Sequence, residues 1–191
     1  MSSTKRGKDR HESDYYVTPI KAIIDFLKEF SKKEPNVFSD GIILDPCAGG
    51  DGTNPMSYPF ALRRFGVSKD RIETLDIRSD SPAKYHEDFL CWTHPWQYDI
   101  IISNPPFILA MEFIKKSLDI VSDGGFVVML LRLNFFGSKK RKPFWEEHMP
   151  KYAFVHNARM SFTSDGKTDS IEYMHAVWQK GNKADCKLFV I

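Results

Sequence analysis

Apolar positions recur along this chain in two alternating patterns, and the alternation predicts an α/β sheet. After a polar start, Ile20, Ile23, Ile24, Leu27 and Phe30 fall on one helical face. Thr18-Pro19 stands just before them, so threonine is expected to cap the free amides and proline to take the first helical position. Ile42-Ile43-Leu44 then reads as a short, wholly apolar strand. A helix is expected from Tyr58 to Phe65, with Pro59 near its start and Gly66 as its stop. Ile72 to Leu75 forms a second strand, and a weak third strand or turn lies near Tyr85. Tyr98 to Ser103 is a further strand, followed by a helix over Ile108–Val121 that Gly124-Gly125 stops. Phe126 to Leu131 is an unbroken apolar run, as suits a parallel sheet covered on both faces. Downstream, Ala153–Asn157 and Tyr173–Trp178 read as two strands joined by a long polar loop, hence an antiparallel pair at one edge.

Composition narrows the class. The 191 residues suit one core, and 42% apolar with 27% charged residues is the balance of a globular chain. A formal charge of +2 is too small to announce nucleic-acid binding by itself. Cys47, Cys91 and Cys186 have neither paired spacing nor histidines beside them, so no zinc site or disulfide framework is indicated and a reducing compartment fits. The polar N-terminus, with Lys5, Arg6, Lys8 and Arg10, carries no signal-peptide pattern, and no apolar stretch approaches a membrane span. Residues 1–14 are read as a flexible polar tail.

Two junctions carry chemistry. The strand Tyr98–Ser103 runs into Asn104-Pro105-Pro106-Phe107. Those four residues offer a side-chain amide oxygen, a carbonyl stiffened by proline and an aromatic face to one planar, amino-bearing group. An exocyclic amine is a poor nucleophile because its lone pair is delocalised. Accepting hydrogen bonds from both its protons draws the nitrogen toward tetrahedral geometry and localises that pair. The second junction is Asp45-Pro46-Cys47-Ala48-Gly49-Gly50-Asp51-Gly52-Thr53, between the first strand and the next helix. A carboxylate, a tight turn and close-set glycines there let backbone amides approach a ligand at the carboxyl end of the sheet. Asp76 ends the second strand, where it could accept from ribose hydroxyls. Asp88 could accept from an adenine amino group, with Phe89 beside the ring. The absence of a lysine after the glycines argues against nucleoside-triphosphate hydrolysis.

On these residues the chain resembles the S-adenosylmethionine-dependent DNA N6-adenine methyltransferases, in their small phage-encoded form, over residues 15–180. Asp45 to Gly50 matches that family's cofactor loop, and Asn104 to Phe107 its catalytic tetrapeptide. Tyr15-Tyr16-Val17-Thr18-Pro19 resembles its N-terminal cofactor motif. The resemblance implies a Rossmann-like, seven-stranded, mostly parallel sheet with helices on both faces, in a single domain over residues 15–191. It implies that S-adenosylmethionine is held by Tyr15, Tyr16, Thr18, Pro19, Asp45, Pro46, Cys47, Ala48, Gly49, Gly50, Asp76, Ile77, Asp88, Phe89 and Asn104. It further implies that Asn104 accepts one amino proton, the Pro105 carbonyl the other, and that Phe107 stacks on the base, with Pro106 completing the motif. Two departures stand out. The family loop reads Gly-x-Gly, whereas Gly49-Gly50-Asp51-Gly52 leaves open whether Asp51 or Gly52 completes it. The length leaves no room for a separate target-recognition domain, so specificity must come from loops, a partner chain or the tail.

On the substrate side, Lys139, Lys140 and Arg141 belong to the cationic run Lys139–Lys142, which follows the strand ending at Leu131 and is expected on the active-site edge. In the resemblance Arg159 and Phe162 lie beside the target base. DNA is the expected partner, with RNA adenine or protein glutamine as alternative acceptors. A non-catalytic cofactor-binding subunit is the alternative from another class. The resemblance implies a cytoplasmic location, the host's if the chain is phage-encoded. His156 and His175, within predicted strands, are read as structural.

Overall fold

The computed structural model describes residues 16–162 and 170–191. Helix α1 (Ile20–Lys33) buries Ile23, Leu27 and Phe30 of the expected face together with Phe26, while Ile20 and Ile24 are only partly buried. Each fully buried side chain contributes roughly 1.5–3 kcal/mol of burial. Strand β1 (Ile43–Asp45) is followed by α2 (Ser57–Arg64) and β2 (Ile72–Thr74). Strand β3 (Tyr98–Ser103), α3 (Ala110–Ile120) and β4 (Val121–Arg132) come next. The chain ends with α4 (Lys142–Glu147), β5 (Tyr152–Val155), β6 (Tyr173–Gln179) and β7 (Lys187–Val190). The seven strands form one sheet in the order β2-β1-β3-β4-β6-β5-β7. Strand β6 alone runs antiparallel to both its neighbours, β4 and β5.

Successive residues of a strand point to opposite faces, and β3 shows the result. Ile101 joins a core layer with Phe113 and Ile114 of α3 and Phe144 and Trp145 of α4, and Tyr98 reaches the same layer because the register shifts between Tyr98 and Ile100. Ile100 and Ile102 join the opposite layer with Ile23 and Phe26 of α1 and Tyr58 and Leu62 of α2. Helices therefore cover both faces, as the unbroken apolar strands require.

Three local expectations are corrected. Thr18 does not cap α1: Pro19 precedes its first residue and no side chain bonds the free amides. The Thr18 hydroxyl is instead engaged by Asn104, described below. The third strand near Tyr85 shrinks to a single parallel bridge between Leu75 and Tyr85. Its place in the count is taken by β7, which pairs parallel with β5 and sets the antiparallel pair one strand in from the edge.

Gly124-Gly125 does not stop a helix either. Helix α3 ends at Ile120, and the glycines lie within β4, whose pairing with β3 slips between Tyr98 and Ile100. A β-carbon at Gly125 would sit 2.8 Å from the Asp99 carbonyl oxygen and 2.8 Å from a Val121 methyl. Only glycine lets the two backbones approach so closely.

A polar chain crosses the α1–α2 layer. The Tyr58 hydroxyl lies 2.9 Å from His175 Nε2, and His175 Nδ1 lies 2.7 Å from His156 Nε2. Phe26 stacks on the His175 ring at 4.2 Å. Burial holds His156 down to about 4, with nearby Asp25 opposing the shift. Burial, and then His156, push His175 well below the usual imidazole range. Among the described residues no helix is long and apolar enough to cross a membrane.

Gly125→Ala is expected to destabilise the fold by about 1–3 kcal/mol in chemical denaturation. Gly52→Ala, where a β-carbon meets nothing within 4 Å, should stay within about 0.5 kcal/mol. The histidines make a second prediction. Both stay neutral in the fold while the unfolded chain takes up protons below its pKa of about 6.5. Their contribution is full above that pH and is lost as pH falls toward 4. Melting series should show a smaller loss between pH 6.5 and 4 for His156→Gln than for the unmodified chain.

Candidate active site

Strands β1 and β3 are parallel neighbours, so their carboxyl ends and the segments that follow share one edge of the sheet. That edge opens into a cleft lined by Tyr16, Thr18, Pro46, Cys47, Ala48, Gly49, Asp76, Ile77, Asp88, Phe89, Asn104 and Pro106. It holds about 150 Å³ of space wide enough for water, and about 840 Å³ when the open mouth is included. Ser57 and Tyr58 of α2, Arg78, Glu87, Leu109 and Phe113 complete the wall.

The loop after β1 is clamped from two sides. Asp45 is fully buried beneath it and does not face the cleft. Its Oδ1 accepts from the Ser103 hydroxyl at 2.6 Å and from the Cys47 amide at 3.2 Å. Its Oδ2 is buried without a hydrogen-bond partner among the described residues. Burial raises the Asp45 carboxyl to about 7, against the lowering effect of these two donors, and the charge of Asp76 adds to the rise. On the β2 side, Asp76 accepts from the Gly49 amide at 2.8 Å and the Arg78 amide at 2.9 Å. The Ser81 hydroxyl donates to the Gly49 carbonyl. Arg78 donates to the Gly50 carbonyl at 3.1 Å while pairing with Asp80 at 2.8 Å.

These bonds correct one expectation. The amides of Cys47, Ala48 and Gly49 are taken by Asp45, the Leu75 carbonyl and Asp76 rather than offered to a ligand. What the glycines contribute is backbone shape. Gly49 and Gly50 turn at φ 65° and 77°, in the left-handed region that favours glycine. The Asp51 carboxylate accepts from the Thr53 hydroxyl and from the amides of Thr53 and Asn54, each at 2.7 Å, and these bonds, the hydroxyl's first, hold it well below the usual carboxylate range. Neither Asp51 nor Gly52 has a left-handed backbone, so the left-handed turn is completed by Gly49-Gly50. The Cys47 thiol is pushed well above its ordinary range by burial, then by Asp45, so it stays protonated.

The tetrapeptide presents two unsatisfied acceptors. Asn104 Nδ2 donates to Thr18 Oγ1 at 3.0 Å, which fixes the amide and leaves Oδ1 buried without a partner among the described residues. The Pro106 carbonyl accepts from the Leu109 amide at 2.9 Å. No donor among the described residues reaches the carbonyl of the buried Pro105. Phe107 lies outside the cleft wall, half-buried against Leu130, Met160 and Tyr173. The Arg132 guanidinium covers its ring at 4.5 Å, and Phe162 meets Tyr173 edge-on at 4.9 Å.

The remaining expected residues scatter around this edge. Pro19 and Gly50 do not line the cleft, and Tyr15 with the tail cations lies outside the described residues. Phe89 is buried and packs 5.0 Å from Phe113, so it reaches the cleft from its floor. Asp88 accepts from the Leu90 amide at 2.9 Å at the rim. Lys139 and Lys140 are exposed, while Arg141 donates to the Phe135 carbonyl at 3.0 Å. Arg159 is exposed and lies 3.6 Å from Glu172. The sequence reading did not pick out Ser103, Tyr58, Arg78 or Arg132. Of these only Arg132 left a visible sign, a lone cation closing an apolar strand.

No protein-family model and no curated protein matches the sequence. Solved structures do. A proposed RNA methyltransferase from Pyrococcus horikoshii superposes at TM-score 0.66 with 15% identity, over 93% of this chain and 94% of that one. A proposed class I S-adenosylmethionine-dependent methyltransferase from Listeria monocytogenes gives 0.60 with 15% identity, over 98% and 68%. The type IIG restriction endonuclease BpuSI gives 0.65 with 13% identity, over 89% of this chain, which spans only 26% of that enzyme. At such identities the likeness establishes the fold: a Rossmann-like sheet of the methyltransferase kind.

Ser103→Ala is expected to destabilise the protein by about 1–3 kcal/mol, because it strips a donor from a buried carboxylate. The folded Asp45 titrates near 7, above the ordinary carboxylate value, so the stability it contributes is present at low pH and lost as pH rises through 7. The effect of Ser103→Ala in denaturation should accordingly be larger at pH 8 than at pH 5.

Proposed function

We propose that this chain transfers a methyl group from S-adenosylmethionine to the N6 amine of adenine in DNA. The observation that carries the reading is the orphaned Asn104 Oδ1, buried beside the cleft and aligned by Thr18. A buried acceptor without a donor is destabilising unless a ligand supplies one. An amine with two protons would give one to this oxygen and, in the proposed pose, the other to the carbonyl of Pro105, which is buried beside the cleft-lining Asn104 and Pro106. That pair of acceptors is what a delocalised amine needs to become nucleophilic.

The cleft fits the cofactor in chemistry. Asp76 and Asp88 offer carboxylate oxygens for ribose hydroxyls and an adenine amine, and Tyr16, Ile77 and Phe89 supply apolar wall. When bound, the cofactor supplies a methyl group already activated on sulfur. The protein's work is then positioning. The nitrogen lone pair forms the new N–C bond as the S–C bond breaks, and the amine proton leaves to water. A target inside a duplex has to be flipped out, at a cost of roughly a few kcal/mol.

Likeness to restriction-modification proteins such as BpuSI supports DNA as the acceptor, and the cationic Lys139-Lys140-Arg141 edge supports a polyanion. Likeness over nearly the whole of a proposed RNA methyltransferase supports RNA as the second reading. Incubation with methyl-labelled cofactor and DNA, RNA or protein, followed by digestion, separates them. N6-methyladenine from DNA is expected. Label only in RNA, or in methylglutamine, overturns the acceptor, and cofactor binding without transfer to any of them points to a non-catalytic subunit. Asn104→Ala should lower the transfer rate by at least about 100-fold while leaving cofactor affinity within about threefold, measured by single-turnover assay and calorimetry.

A further inference from the structure

Arg132 closes β4 at the edge of the sheet where Asn104 follows β3, and its surroundings are unusual for a guanidinium. Its central carbon sits over the Phe107 ring, 4.5 Å from the centroid. Its Nε is buried and has no hydrogen-bond partner among the described residues. No carboxylate among the described residues pairs with it either. Its register partner across the sheet is Tyr173, and the acid beside that residue, Glu172, faces Arg159 at 3.6 Å instead. Other arginines near the site are engaged: Arg78 with Asp80 and the Gly50 carbonyl, Arg141 with the Phe135 carbonyl.

A guanidinium Nε shut off from water without an acceptor carries a cost, and no acceptor among the described residues takes the remaining N–H groups of this half-buried side chain, which leaves them for a ligand. The contact with Phe107 holds the charge beside that ring. A planar fork of donors in that place matches the oxygens of a phosphodiester. We infer that Arg132 grips a backbone phosphate flanking the target nucleotide. In doing so it makes a strand, rather than a free nucleoside or a peptide, the acceptor. This rests on the nucleic-acid reading above. Arg132 then acts as a positioning residue, since it binds the strand and not the reacting amine.

The test uses the full chain and a fluorescent single-stranded DNA oligonucleotide containing adenine, titrated by anisotropy with S-adenosylhomocysteine present. Arg132→Gln should weaken binding by about tenfold near 0.1 M salt and reduce the slope of log affinity against log salt by about 0.7, one phosphate contact on a single strand. Arg132→Lys, which keeps the charge but not the fork, should retain the slope and lose part of the affinity. In turnover, Arg132→Gln should raise KM for the oligonucleotide more than it lowers kcat. Wild-type affinity and slope in Arg132→Gln overturn the inference, as does a loss confined to kcat. A wild-type chain that binds the oligonucleotide but never methylates it refutes the enzymatic reading while the Arg132 contact is judged on binding alone. A wild-type chain that binds no oligonucleotide overturns the contact outright.

Discussion

The hydrogen bond from the Ser103 hydroxyl to Asp45 is the joint on which the site depends. It ties the turn after β1 to the last residue of β3, so the glycine loop and the Asn-Pro-Pro-Phe segment are held by one buried contact. On one side Asp45 also takes the Cys47 amide, which folds the loop back over its own strand. On the other, Ser103 fixes where Asn104 leaves the sheet. A carboxylate buried this completely is tolerable because donors meet one oxygen and because its proton comes off only near neutral pH. The arrangement explains why an acidic residue at this point can shape a ligand site without touching the ligand.

Asp76 plays a parallel part from the next strand. Each of its oxygens holds a backbone amide, and the residue itself lines the cleft. Preorganisation of this kind moves the entropic cost of ordering the loop from binding to folding. The second clamp, the buried Arg78 on the Gly50 carbonyl, is anchored from the surface by the exposed Asp80.

Much of this was legible in the chain before folding. Strands that bury both faces advertise themselves as apolar runs, and β3 and β4 are such strands. The cleft residues were legible because glycines and strand-end carboxylates are rare in that order. Other features carry no local signal. Strand β7 exposes Leu188 and Val190 and is a strand only because β5 presents an edge to it. The bridge at Tyr85 has the composition of a strand but lacks the length to be one. The histidines of β5 and β6 are 19 residues apart in sequence, and nothing short of the folded register shows that they touch each other and Tyr58. Whether Gly124-Gly125 ends a helix or kinks a strand is likewise decided by Asp99, a residue on another element.

The bond between Thr18 and Asn104 has one more consequence. It spans 86 residues and links the segment before α1 to the segment after β3. An amide free to rotate about its side-chain bonds would present oxygen and nitrogen to the cleft in turn, and only one of the two can accept a proton. Thr18 acts as a detent that stops the rotor on its useful face. The orientation of this amide therefore rests on a contact outside the sheet, separate from the pairing that holds the strands together.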